Sequence, residues 1–217
     1  MEERNITVTL EQAKKWLNSG NLTLKGLALQ AFSEDELKND FMKITTFKDA
    51  CEALDLGYNT ASSVAKALAK VSRASSAMFK LNIIRKALNL GCNLSLTKDP
   101  KSSCVYYPHN PFMAKGSTYY KDTLRLGRME TIGVIKSDGI AYEVLGGDVY
   151  NCGRAGLGYF CSADGAGGAD ASVGFLGCAS KKIARHFGKY FGMLITEAKY
   201  GDMVDFEIIK DKYGNTK

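Results

Sequence analysis

"VLGGDVYNCGRAGLGYFCSADGAGGADASVGFLGCAS", Val144 to Ser180, holds ten of the chain's 22 glycines. Single Tyr, Phe, Cys, Arg and Asp residues separate them, with neither a helical nor a strand period. Three readings compete for it. A linker would be poor in large apolar side chains, yet this stretch contains Tyr150, Leu157, Tyr159, Phe160, Val173 and Phe175. A dinucleotide loop needs G-x-G-x-x-G between a strand and a helix, whereas GRAGLG and GAGG here precede no helix until Ser180. The third reading fits: a long irregular surface held at both ends. Glycine permits its tight backbone paths, and Tyr and Phe give contact area at small entropic loss.

Regular elements are legible on both sides of it. Met129–Lys136 and Ile140–Leu145 read as strands joined by a turn at Ser137–Gly139. Downstream, Ser180 caps an amphipathic helix, KKIARHFGKYFGMLITEAK, whose stripe is Ile183, Ala184, Phe187, Phe191, Leu194, Ile195 and Ala198. The chain then runs into "MVDFEIIK", where Val204, Phe206 and Ile208 alternate as in a half-buried strand. Upstream, Pro100, Pro108 and Pro111 are the chain's three prolines, and they mark the point where helix gives way to extended chain.

Residues 1–90 read differently, as a short strand followed by small amphipathic helices. Ile6 and Val8 alternate in "NITVT". Thr9 with Gln12 is a capping box for LEQAKKWLN, which places Leu10, Ala13, Lys14 and Leu17 on one side and Trp16 at its edge, and which Gly20 ends. A second helix is expected near Leu24–Ala31, and Ser33 with Glu36 caps a third. Thr46 opens FKDACEALDL, with Phe47, Ala50, Cys51 and Leu54 at helical spacing and Gly57 as the stop. Residues 62–90 form one long helix or two short ones, with Val64, Leu68, Val71, Ala74, Phe79, Ile83, Ile84, Ala87 and Leu88 as the apolar face. The expected fold class is therefore α+β. A helical module, 1–98, precedes a mixed α/β module, 99–217, that carries the glycine-rich irregular segment, and the two meet near Asp99–Asn110.

The net charge of +6 is spread evenly, with 14 basic and 11 acidic side chains in residues 1–100 and 15 and 12 in the remainder. A nucleic-acid binder usually concentrates its charge. The N-terminus is acidic and amphipathic and has no h-region, so no secretory signal is expected, and the chain is assigned to the cytoplasm or to a virion. Six cysteines contain no C-x-x-C pair, and two histidines leave a zinc site few ligands. They are expected to be small buried or surface thiols, with Cys152–Cys161 or Cys161–Cys178 as bridges if the chain matures outside a cell.

From Asp148 to Phe175 there is no Lys, Glu, Gln, Met or Trp. Those are the five amino acids that codons ending in a pyrimidine cannot encode, and glycine bias is the competing explanation. With Gly146-Gly147 opening the stretch and Val173-Gly174-Phe175 closing it, the layout resembles the variable segment of C-type-lectin-fold proteins. These are related to formylglycine-generating enzymes and diversified by retroelements. The chain departs from that family at Asp148-Val149, where Ser-Trp is usual, and at Leu176, where Arg is usual. The whole chain, with its YYPHNPF lead-in, also resembles uncharacterised proteins common in phages of gut bacteria. The resemblance implies a C-type-lectin-like C-terminal module and a displayed recognition surface.

No catalytic constellation emerges. Cys104 or Cys161 near His109 or His186 would be needed for thiol catalysis; His186 reads as a helix-surface or boundary residue, and His109 has no evident orienting partner. Asp164 and Asp170 suggest paired carboxylates or a calcium site, but no metal or cofactor is expected. The expected function is non-enzymatic recognition of a protein or glycan, without membrane insertion. Its binding residues are Asp148, Tyr150, Asn151, Arg154, Tyr159, Phe160, Ser162, Asp164, Asp170 and Ser172. The rival expectation is a nucleic-acid-binding regulator, in which Lys66, Lys70, Arg73, Lys80, Arg85 and Lys86 track phosphates.

Overall fold

The computed structural model describes residues 7–19, 21–37, 40–90, 105–109, 112–114, 129–137, 139–147, 158–162 and 176–216. The first helix, α1 (Leu10–Asn18), starts as its sequence predicts. The Gln12 N–H donates to Thr9 Oγ1 (3.2 Å), and the Thr9 N–H donates to Gln12 Oε1 (3.0 Å). It buries Ala13 against Ala28 of α2 (Leu22–Ala31) and Leu37 of α3 (Glu34–Leu37), with Val8, Trp16, Leu17 and Phe32 packed around them. Leu10, expected inside, stays exposed. The larger Trp16 covers this small cluster in its place. Thr7–Thr9, the described end of the expected first strand, forms no strand.

A second and larger core begins at α4 (Phe47–Ala53), capped by Thr46 and Asp49 in a reciprocal box. Phe47, Ala50, Cys51 and Leu54 are all buried, as their spacing predicts. The expected stop at Gly57 is displaced. Asp55 takes the left-handed turn at φ +55°, and Gly57 becomes the N-cap of α5 (Tyr58–Ala69). Aspartate tolerates that region better than most residues because its short side chain can bond locally.

Residues 62–90 resolve as two helices, α5 and α6 (Arg73–Leu88), with Ser72 capping the second by accepting from the Ser75 N–H at 2.9 Å. The break moves the buried stripe. Val64 and Val71, expected on the apolar face, are 42% and 90% exposed. Ala61 and Ala65 of α5 and Ala77, Leu81, Ile84, Ala87 and Leu88 of α6 lie inside.

The long helix α7 (Lys181–Tyr200), capped by Ser180, joins two cores. Ile183, Ala184, Phe187, Phe191 and Leu194 belong to the cluster that α4, α5 and α6 also line. Met193, outside the expected stripe, enters a third cluster with Ile132, Ile135, Val144 and Phe206.

That third cluster belongs to a four-stranded antiparallel sheet. Its order is β2 (Phe112–Ala114), β4 (Ile140–Gly147), β3 (Met129–Ser137) and β6 (Glu207–Asp211). The β3–β4 hairpin forms where expected, with Gly139 in its turn at φ +75°. Gly133 allows α7 to approach β3. A Cβ there would lie 2.6 Å from the Lys210 carbonyl oxygen and would collide with the Met193 sulfur. β6 begins later than the alternation suggested, leaving Val204 98% exposed in the preceding turn. A separate antiparallel pair joins β1 (Val105–His109) to β5 (Gly158–Ser162). The class is α+β. The expected boundary between residues 98 and 99 lies outside the described residues.

Candidate functional site

Two regions compete as the site, and the glycine-rich stretch comes first. β4 ends on Gly146 and Gly147, which stand opposite Glu130 and Met129 of β3. Eleven positions further on, the backbone returns as β5, in register with β1: Tyr159 opposite Pro108, Phe160 opposite Tyr107, Ser162 opposite Val105. The stretch is thus not irregular throughout. "GYFCS" is a paired strand within it, and its Tyr-Phe pair was the available signal, since aromatic residues favour strands. Pro108 is accommodated because a two-stranded pair consists of edges, where a missing N–H is tolerated. Tyr159, Phe160 and Ser162 therefore sit in a ladder. Asp148, Tyr150, Asn151, Arg154, Asp164, Asp170 and Ser172 lie outside the described residues, as do Val173, Gly174 and Phe175.

The second region is a cleft of about 510 Å³ in the helical half. Arg73, Ser76 and Lys80 follow one another at i, i+3 and i+7 on α6, so they share a face. Ser62, Ala65, Lys66 and Ala69 repeat that spacing on α5 and form the facing wall. The Ser76 hydroxyl ties the walls together by donating to the Ala65 carbonyl at 2.7 Å. The residues after β6 close one end. The Asn215 amide donates to the carbonyls of Thr45 (3.0 Å) and Tyr190 (2.9 Å), pinning 213–216 between α4 and α7.

Glu197 of α7 lines the cleft and accepts from Arg73 Nη2 and Nε at 3.0 and 3.2 Å. Arg73 also donates to the Phe206 carbonyl at 3.4 Å and lies over that residue's ring. Burial pushes the Glu197 carboxyl above its ordinary range, against the pull of Arg73 and Lys80. Burial also pushes the Lys80 ammonium down; Glu197 and Asp211 oppose this, and Lys66 adds to it. Four cationic side chains, Lys48, Lys66, Arg73 and Lys80, thus share this lining with one carboxylate. Sequence reading found three of the four cations but missed Glu197. The available signal was an acidic residue lying between Leu194 and Ala198 on a helix that is otherwise packed.

The remaining chemistry candidates separate. His186, expected at a boundary, is buried between the rings of Phe41 and Tyr190. Its Nε2–H donates to the Ile44 carbonyl at 2.7 Å, since a carbonyl can only accept. Burial holds the ring below its ordinary pKa. His109 stands in β1 opposite Gly158. Cys51 and Cys178 are buried free thiols, so the Cys161–Cys178 bridge is not formed. Burial raises both thiols, Cys178 to about 12, which keeps them protonated and poor nucleophiles. Of the six basic residues expected to track phosphates, Lys66, Arg73 and Lys80 line the cleft, while Lys70, Arg85 and Lys86 do not. Among the described residues no three His, Cys, Asp or Glu side chains cluster to hold a metal, and no helix is long and apolar enough to cross a membrane. Comparison with family profiles, curated proteins and solved structures finds no match.

Proposed function

We propose that this chain is a non-enzymatic binding protein whose C-terminal, C-type-lectin-like module presents residues 148–172 to a protein or glycan on a cell surface. The observation that carries the reading is the β1–β5 ladder. A chain of glycines interrupted by aromatic residues is fastened at its entrance by β4 and again at Gly158–Ser162. Two spans, 148–157 and 163–172, lie on either side of that second anchor. Such spans can change in sequence while the ladder holds the end of each that adjoins it, an arrangement that suits a diversified recognition surface. The absence of Lys, Glu, Gln, Met and Trp from 148–175 supports the same reading. Recognition then rests on Tyr150 as an aromatic anchor and on Asn151, Arg154, Asp164 and Asp170 as polar contacts. Tyr159 and Phe160 contribute through the strand that positions them. In this reading the protein is carried on a phage particle.

The test uses the fluorescently labelled full chain on a panel of intact gut bacteria and on a printed glycan array. A triple variant, Tyr150→Ser, Arg154→Ser and Asp164→Ser, leaves both strands untouched. The proposal expects wild-type binding to at least one cell type or glycan and a loss of tenfold or more in the variant at an unchanged melting temperature. Equal binding by both proteins, or no binding across the panel, overturns it.

A further inference from the structure

We propose that the end of the helical bundle where α6 stops and α7 begins is a docking surface for the phosphate backbone of a nucleic-acid duplex, carried by Arg85, Lys86 and Lys182. It does not depend on the recognition surface proposed above. Charge is even between the two halves of the chain, but the fold gathers it. Residues 56–98 and 171–196 hold eleven lysines and arginines and no aspartate or glutamate. Helices α6 and α7 bring these two runs together antiparallel. At one end Arg73 meets Glu197 at 3.0 Å. At the other, Asn89 accepts from the Ala179 N–H at 2.8 Å and donates to the Gly177 carbonyl at 3.2 Å. Carboxylates serve the first end, where Glu197 pairs with Arg73 and Asp202 accepts from the Ser72 hydroxyl and the Ala74 N–H. The second end has no such answer. Arg85 and Lys86 stand in the last turn of α6, and Lys182 stands in the first turn of the adjoining α7. Among the described residues no carboxylate pairs with any of these three. Asp40 acts on His186 from the segment before α4, but it is itself paired with Lys43 at 3.3 Å.

The place of Lys182 favours an external anion over a role in folding. The N-terminal turn of a helix is its positive end, and α7 carries no acidic residue there to offset it. Lys182 therefore opposes its own helix, while a phosphate is attracted by both. Lys86 and Lys182 are exposed and Arg85 is half-buried, so their charged groups are reached from one side of the bundle. Arg85 can meet a phosphate with paired hydrogen bonds and the lysines with point charges. The surroundings discriminate among partners. Among the described residues no large apolar side chain is exposed in 74–90 or 176–200. A protein partner draws most of its binding energy from apolar and aromatic anchors, and a membrane surface from inserted apolar groups. A single strand stacks its bases on aromatic platforms. A duplex backbone needs none of these, because its binding is dominated by phosphate charge.

Fluorescence anisotropy of a labelled DNA duplex titrated with the full chain, between about 50 and 200 mM salt, tests the proposal. The expected result is binding whose log affinity falls against log salt with a slope of about −2.7 or steeper, for three or more phosphates at about 0.9 each. Lys86→Gln combined with Lys182→Gln should weaken binding at least tenfold at the lowest salt and flatten the slope by about 1.8. Both lysines are exposed, so the pair keeps the fold, which its melting temperature checks. Lys25→Gln combined with Lys136→Gln, exposed lysines on α2 and β3, removes the same charge elsewhere and should leave affinity and slope as in wild type. No binding at the lowest salt overturns the proposal, as does an equal loss in the two double variants. Binding of heparin without binding of the duplex would replace it with a polyanionic-glycan reading. The Tyr150, Arg154 and Asp164 variant should bind the duplex as wild type does, which separates this result from the fate of the recognition surface.

Discussion

The long C-terminal helix is the part of the fold most open to a quantitative challenge, because its two sides enter different cores. Phe187 is fully buried among α4, α6 and its own helical neighbour Phe191, whose ring it meets edge-on at 5.9 Å. Met193 is 1% exposed on the sheet side, packed with Ile132, Ile135 and Val144. Phe187→Ala should cost about 3–5 kcal/mol, and Met193→Ala about 2–5 kcal/mol, from lost transfer free energy plus the cavity left behind. With a urea dependence of about 2 kcal/mol per molar, a 4 kcal/mol loss lowers the unfolding midpoint by about 2 M. Urea titrations followed by far-ultraviolet circular dichroism and by near-ultraviolet tyrosine signals should show one shared transition. Each substitution should move both signals together. Two separable transitions, with Phe187→Ala shifting only the first and Met193→Ala only the second, would refute the claim that α7 binds the helices and the sheet into one cooperative unit.

Other consequences are more local. Gly133→Ala should destabilise the chain by about 1–3 kcal/mol in the same titration, because its methyl group meets the Met193 side chain and the Lys210 carbonyl, and backbone cannot swing away. Thr46→Ala removes the acceptor for the Asp49 N–H at 3.1 Å and should cost about 1 kcal/mol by thermal melting. His186 is held neutral by burial, so its folded pKa lies below the unfolded value of about 6.5. Its contribution is complete above pH 6.5 and is lost as the pH falls from there toward the folded pKa, by up to about 1.4 kcal/mol per unit. His186→Gln should flatten the melting temperature across that window, and an unchanged slope would exclude His186 as its source.

Helix starts were legible because capping is local. Thr9 with Gln12, Ser33 with Glu36, Thr46 with Asp49, and Ser180 are each satisfied within a few residues of their own backbone. The β3–β4 hairpin was legible for the same reason, since strand alternation and a turn glycine lie within one short window. Faces were harder. Val64 and Val71 satisfy helical spacing, yet the helix breaks at residues 70–72, so one stripe does not run through from α5 to α6 and both valines lie exposed. The β5 strand was hidden because it draws its stability from β1, some 50 residues away, and the glycines around it suppress local strand propensity. The cleft was hidden for a related reason. Lys66, Arg73 and Lys80 look like an ordinary solvated face until α7 and the final residues bring Glu197 and Asn215 against them.

The central claim is that residues on either side of the β5 anchor serve recognition while the ladder and the two cores serve folding. A saturation substitution library over residues 140–196, sorted for protease resistance on the surface of yeast, measures this most directly. The account predicts that 148–157 and 163–172 accept nearly every substitution, whereas Val144, Leu145, Phe187 and Phe191 accept few. Sensitivity across 148–157 and 163–172 equal to that of Val144 and Phe187 would contradict it, because the segment would then be core and not a displayed surface.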